Sequence, residues 1–464
     1  MNTQEQEHIF QVCSNLKNKE IAAIIAPAGS GKTTTLVELA KILHQKTILY
    51  LAYNKSIKDE ASRRFPSNVT VATAHGLAYK MLNIANHPKW RLREQDYNIH
   101  ELAEILQCND YLEILKTKRV FDKFLNSNAY GFSKKDLESN ISIANACKLY
   151  GKMLCGEIDI THSFYFKQFE RQRNTLDYDM VFLDEAQDSN DVTLSMYFAL
   201  NGAKVLVGDP HQAIYAFRGS VNAFKKITAT HKLYLTQCFR CNQKIVDRAN
   251  EILSLKGSDK DFDIVSAANN DDKIETRAII TRTNAKIIEL LANAEKDNKK
   301  YIFLKNPKEF FDDICELADF LYPKEDIVKI KKDNKFLKYK NADNFLNIMD
   351  ESKDINLISA HNIVKRYKRG VFMIYKNAKK MWKEKRELKK GEGIYLMTAH
   401  ASKGLEFDEV TLTKDFPDIE KMRNDESYTF AEINEEINLY YVAVTRAKKY
   451  LNDLSKNLKT ADCR

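Results

Sequence analysis

Two groups of residues carry the types and spacing for chemistry on a phosphate anhydride. The first is the stretch IIAPAGSGKTTTLVELA, Ile24 to Ala40, in which Gly29, Gly31, Lys32 and Thr33 stand together; the second is VFLDEAQD, in which Asp184 and Glu185 close an apolar run. Gly29 and Gly31 can take backbone angles that point successive N–H groups into one concavity, and no Cβ blocks an approaching phosphate oxygen. Lys32 then reaches the β- and γ-phosphates, the Thr33 hydroxyl is a ligand for Mg2+, and the helix beginning there adds its positive end. The cradle runs through Ala26, Pro27, Ala28, Gly29, Ser30, Gly31, Lys32, Thr33 and Thr34, with Ala26 where the usual G-x-x-x-x-G-K-[ST] pattern has its first glycine. Asp184 can hold Mg2+ directly or through water, and Glu185 can take a proton from an attacking water. In VGDPHQAIYAFRG, Gln212 falls at a turn suited to sensing a γ-phosphate. Tyr215 and Phe217 alternate there, so in a locally extended chain they project to one side and suit stacking on bases.

Such groups need a rigid frame. TILYLAYN, NVTVATAH, DMVFLDEA, KVLVGDP and HKLYLTQ are short β-branched or aromatic runs that each end in a polar turn and alternate with helical patterns, which predicts a parallel sheet covered by helices. The carboxyl ends of such strands open onto the ligand crevice, where Asp184 and Glu185 fall. From Leu77 to about Phe166 the periodicity is helical, an insertion in the first α/β domain. The α/β signal resumes in TRAIITRTN and KKYIFLKN, yields to a Lys-rich helical segment up to Lys390, and returns in GEGIYLMTAH and DEVTLTKDF before the helix EEINLYYVAVTRAKK. No repeat at fixed period is visible.

Composition sets outer bounds. The 464 residues allow several cores, and 44% hydrophobic with 30% charged residues is the balance of an ordinary globular chain. The net charge of +9 favours a polyanionic partner, and the Lys-rich segment offers a face for phosphates. No apolar run approaches membrane-spanning length, so the expected location is cytoplasmic, or nuclear in a eukaryote, with no membrane partner. The eight cysteines are scattered and expected reduced; Cys238 and Cys241 have C-x-x-C spacing, but no second pair completes a metal site.

Eight segments then carry a family resemblance. APAGSGKTT, LAYNK, TAHGLA, FLDEAQD, VGDPHQAIYAFRG, LTQCFR, TAHASKGLEF and NLYYVAVTRAK occur in the order of the motifs of superfamily 1A DNA helicases, the UvrD/Rep type, and the variants LAYNK and LTQCFR resemble the F-box DNA helicase branch, without a visible F-box segment. The resemblance implies two RecA-like parallel-sheet motor domains, each with a mainly helical insertion. The expected division is 1–76 and 167–232 for the first motor domain around an insertion at 77–166, then 233–305 and 391–464 for the second around a small basic insertion at 306–390.

The resemblance also implies roles. Gln6 matches the glutamine that reads adenine, Phe239 the aromatic packed on that base, and Glu406 the ribose contact. Arg240 and Arg446 match the arginines that reach the γ-phosphate across the cleft, where guanidinium groups stabilise the charge that spreads over its oxygens. Asn54, His75, Tyr215, Phe217 and His400 match positions along the single strand. The implied activity is ATP- and Mg2+-dependent 3′→5′ movement on single-stranded DNA, with single-strand/duplex junctions as substrates. Ala52 replaces a family aromatic two residues before Asn54. Few residues follow TRAKK, which leaves little room for a duplex-splitting hairpin. The sequence therefore leaves open a DNA-stimulated ATPase that strips proteins from single strands with weak unwinding. A non-motor P-loop switch protein is the other alternative, and stacking and phosphate contacts alone do not separate DNA from RNA.

Overall fold

The computed structural model describes residues 2–132, 139–173, 175–216, 219–260, 262–304, 306–323, 334–339, 341–352, 355–385, 388 and 391–455. The chain forms two compact units, Met1–Phe239 and Arg240–Arg464.

The first unit is built on six parallel strands: β1 (Ile21–Ile25), β2 (Ile48–Ala52), β3 (Val69–Thr73), β4 (Met180–Leu183), β5 (Ala203–Gly208) and β6 (His231–Tyr234), in the spatial order β3-β2-β4-β5-β1-β6. The inner strands are buried along nearly their whole length, and apolar apart from Lys204, because both sheet faces are covered. Alternate residues feed two different cores. Ile48, Tyr50 and Ala52 of β2 join Ile24, Phe182, Val205 and Val207 under the helices Gln4–Ser14 and Lys32–Ile42. Leu49 and Leu51 point the other way, into a core shared with Val181, Leu183 and Leu206. That second core continues without a break into the helices Ile99–Leu106, Tyr111–Asn126, Asn140–Cys155 and His162–Gln172. The helical insertion is thus the cover of one sheet face.

The second unit has five parallel strands in the order Tyr301–Ile302, Ile394–Thr398, Arg277–Thr281, Phe407–Leu412 and Ala447–Asp453. Helices Asn284–Asn293, Pro307–Leu321, Ala342–Ser352, Ile355–Tyr367 and Val371–Glu384 share one apolar core with Leu396 of this sheet. One reading of the sequence is corrected here. The helix expected through TRAKK ends at Val444, and Ala447–Asp453 is an edge strand paired with Phe407–Leu412. The Thr445 hydroxyl turns back to the carbonyls of Tyr441 and Val442, and the Arg446 side chain to Val442 as well, which closes the helix before the β-forming run KKYL.

The helix that follows the phosphate loop is pinned at its far end. Asn68 Nδ2 donates to the carbonyls of Ala40, Leu43 and Lys46 at 3.2, 3.1 and 3.0 Å. Leu43 O also accepts the Lys46 N–H at 2.8 Å, so replacing Asn68 by alanine strands chiefly the carbonyls of Ala40 and Lys46, at about 1–3 kcal/mol. Asn68→Asp should cost more than Asn68→Ala in urea denaturation, because an acceptor then faces acceptors. Equal costs would show that the amide donor does not hold this end.

Candidate active site

The loop after β1 takes the form expected of a phosphate cradle. Gly29 and Gly31 have φ of 72° and 78°, the left-handed region that a Cβ disfavours, and the helix starts at Lys32 with its first N–H groups facing the loop. Ala26 N–H donates to the carbonyl of Gly208 at the end of β5 (2.9 Å), which fixes where the loop departs from the sheet. Lys32 Nζ folds onto the carbonyls of Ala26 (3.3 Å) and Pro27 (3.4 Å), partners that phosphate oxygens would replace. The Ser30 hydroxyl donates to Pro27 O, and Arg64 donates to the Thr34 hydroxyl.

Asp184 and Glu185 leave the carboxyl end of β4 as the strand pattern required. The Tyr50 hydroxyl donates to Asp184 Oδ2, and Glu185 N–H donates to Oδ1 at 2.9 Å. Burial and the neighbouring Glu185 charge raise the Asp184 pKa above the usual carboxylate range, opposed by Tyr50 and by the Lys32 charge. An enclosed carboxylate beside a second one is short of positive charge, and this donor set fits a divalent cation. Glu185 itself adopts φ 49° and ψ 44°. A residue with a Cβ costs on the order of 1–3 kcal/mol there, and such strain concentrates where a side chain must be aimed. Gln212 lies in a buried single-turn helix, Pro210–Gln212, with its Nε2 donating to Asp209 Oδ2 at 2.8 Å.

The N-terminal helix holds the other end of the site. Gln6 closes a capping box with Thr3, and its Nε2 donates to Thr35 Oγ1 at 3.0 Å, beside the helix that Lys32 begins. Glu5 binds both the N–H and the hydroxyl of Thr236, and Phe239 N–H donates to Gly29 O at 2.9 Å. Phe239 is 46% exposed. Gln6, the loop, Asp184, Glu185, Gln212 and Phe239 are therefore linked along one edge of the first sheet.

In the second unit, Arg240 Nε pairs with Glu406 Oε2 at 2.7 Å. Arg446 is 1% exposed, its guanidinium donating to Val442 O, Leu405 O and Thr445 Oγ1 at 2.9, 3.1 and 3.2 Å. These three residues, separated widely in sequence, meet around the KGLEF turn. Cys241 Sγ lies 3.8 Å from Thr445 O, and both Cys238 and Cys241 are buried.

Of the residues expected on a nucleic-acid strand, Asn54 caps the helix Lys55–Arg64 through Ile57 N–H. His75 and His400 share a device that the sequence repeats as Thr-Ala-His: a threonine at the end of a parallel strand caps a helix whose second residue is the histidine. The His75 ring packs 4.3 Å from Phe166 and 6.4 Å from His162; desolvation and that second imidazole lower its pKa, although the residue keeps an exposed surface. Tyr215 is half-buried in a non-helical stretch, and Phe217 lies outside the described residues. Helix Val371–Glu384 buries Val371, Ile374 and Ala378 and exposes Lys376, Lys380 and Lys383 on its opposite side; the ends of the Lys-rich segment lie outside the described residues. Among the described residues no helix is long and apolar enough to cross a membrane. Sequence reasoning had passed over Tyr50, Gly208 and Gln187, whose importance arises only from contacts between strands.

The strand order, loop and strand-end carboxylates define the first unit as a P-loop nucleotide-binding domain. An AAA domain model matches residues 10–218, and a UvrD-like helicase C-terminal domain model matches residues 283–455. F-box DNA helicase 1 of Gallus gallus is 27% identical over 497 residues, covering 97% of this chain and 48% of that protein. F-box DNA helicase protein 1 of Schizosaccharomyces pombe is 30% identical over 523 residues, covering 99% of this chain and 58% of that protein. A probable DNA helicase II homolog of Mycoplasma genitalium is 24% identical, with 93% of this chain and 82% of that protein covered. The second unit thus carries a UvrD-like helicase C-terminal domain match and the first an AAA domain match, and DNA helicases are among the relatives to which the whole chain is similar. It spans about half the length of the two F-box relatives.

The two arginines differ in what their loss should do. Arg446→Ala removes three buried charge-assisted bonds and should lower stability by about 3 kcal/mol. Arg240→Ala breaks a half-exposed ion pair and should cost under about 1 kcal/mol. Urea denaturation of both variants checks this, and equal losses would show that Arg446 does not brace its unit.

Proposed function

We propose that the protein is an ATP-dependent DNA helicase motor that moves 3′→5′ on single-stranded DNA. The observation that carries this reading is the hydrogen-bonded edge of the first sheet, where a phosphate loop, a strand-end Asp184–Glu185 pair and Gln212 are linked through β5. The matched domain models and the DNA helicases among the relatives support the choice of track.

In this reading Gln6 and Phe239 hold the adenine, and the loop amides and Lys32 hold the phosphates. Thr33 and Asp184 would hold Mg2+, which supplies charge neutralisation at the phosphates when bound. Glu185 takes the proton of the attacking water, and Gln212 senses the γ-phosphate. Arg240 and Arg446 supply positive charge to the transition state after exchanging their present partners for phosphate oxygens, and Glu406, released from Arg240, binds the ribose. Asn54, His75, Tyr215, Phe217 and His400 line the strand, with stacking worth on the order of 1–3 kcal/mol per base and indifferent to sequence. The motor halves are assigned to 1–76 with 167–232 and to 233–305 with 391–464, and the helical segments 77–166 and 306–390 to accessory contacts with DNA.

The test uses single-stranded DNA carrying streptavidin on one end. The wild type should displace the block from the 5′ end and leave it at the 3′ end. Lys32→Ala should do neither, and Glu185→Gln should bind ATP without turnover, since an amide cannot accept the water's proton. Displacement from the 3′ end would overturn the polarity, and full turnover by Glu185→Gln would remove Glu185 from the base role.

A further inference from the structure

Gln187, two residues beyond Glu185, is fully buried and makes two bonds that leave its amide one orientation. Its Nε2 donates to Glu185 Oε2 at 2.5 Å, and its Oε1 accepts the N–H of Asp209 at 3.1 Å. Flipping the amide would set oxygen against carboxylate and NH2 against N–H, so the two contacts specify each other. Room for this side chain exists because residue 208 is a glycine: a Cβ there would lie 2.1 Å from Gln187 Oε1.

The strand end that Gln187 reaches is a junction. Gly208 O holds the first residue of the phosphate loop through Ala26 N–H. Asp209 N–H holds Gln187, and the Asp209 carboxylate holds His211 N–H at 3.0 Å and Gln212 Nε2 at 2.8 Å. Glu185, at φ 49°, leaves β4 in a conformation that a free carboxylate side chain does not choose. The amide of Gln187 ties this carboxylate to the strand bearing both the loop and the Gln212 turn.

We propose that Gln187 is a positioning residue for hydrolysis: its amide aims the Glu185 carboxylate and makes that aim depend on the Asp209–Gln212 turn. The proposal rests on the reading of Glu185 as the base. A movement of the turn on meeting a γ-phosphate is then transmitted to the base through the Gln187 amide.

Substitution by methionine keeps length and apolar bulk but removes both bonds, and Gln187→Glu keeps the shape while setting a carboxylate against Glu185. In the full chain with single-stranded DNA present, each should lower kcat on the order of 10²-fold, the cost of a small misplacement of a catalytic group. Binding of a fluorescent ATP analogue should stay near wild type in both variants, while the melting temperature falls modestly because a buried N–H or a second buried carboxylate is left uncompensated. In single-turnover measurements, which read the slow residual hydrolysis, Gln187→Met should bring no further loss in a Glu185→Gln background, because a positioning residue has nothing left to position. An additional loss in that background, or loss of nucleotide binding together with a large fall in melting temperature, would make Gln187 merely structural and overturn the proposal. Near-normal kcat in both single variants would overturn it as well. Those results leave the base reading standing, whereas an active Glu185→Gln would sink that reading first.

Discussion

Parallel pairing is the constraint on which the first unit depends. Because every strand of the sheet points the same way, the residues that follow β1, β2, β3, β4 and β5 all emerge on one edge. The phosphate loop, Asn54, His75, the Asp184–Glu185 pair and Gln212 are therefore collected there from positions spread over most of the unit. A parallel sheet must be covered on both faces, and that requirement explains the insertion: its helices supply the apolar layer for one face, with Leu49, Leu51 and Val181 on the sheet side. The cover and the catalytic edge are consequences of one arrangement of strands.

Within each unit the polar groups of the candidate site are paired with partners of that same unit, and this sets what a ligand would have to displace. Lys32 rests on loop carbonyls, Gln6 on Thr35, Arg240 on Glu406 and Arg446 on three oxygens of its own unit. Buried donors left unpaired are costly, so a site awaiting an anion satisfies them internally and exchanges those bonds on binding. Phosphate oxygens are the better acceptors for lysine and arginine because both partners are then charged. In the proposed reading that exchange would be easiest at Lys32 and Arg240, which are partly exposed, and hardest at Arg446, whose bonds also close the final helix.

Much of this was legible in the sequence because the strongest signals are local. The left-handed glycines before Lys32, the apolar strands and the carboxylates at the end of VFLDEAQD each depend on neighbours a few residues away. The capping box between Thr3 and Gln6 follows the Thr-x-x-Gln spacing and was available to the same reasoning. The strand Ala447–Asp453 was taken for helix because AVTRAKK continues a helical period, and the break comes from side chains folding back onto Tyr441 and Val442. Gln187, Tyr50 and Gly208 were out of reach for another reason. Their roles exist only when β2, β4 and β5 lie side by side, a register that one sequence does not state.

The central claim is that nucleotide chemistry on the first sheet is coupled to a nucleic-acid strand. It is tested most directly by steady-state ATP turnover of the unmodified chain with and without saturating single-stranded DNA in Mg2+ buffer. The account predicts slow turnover alone and a steep rise with DNA, reversed by added salt as phosphate contacts are screened. Turnover that ignores DNA at every salt concentration would contradict it.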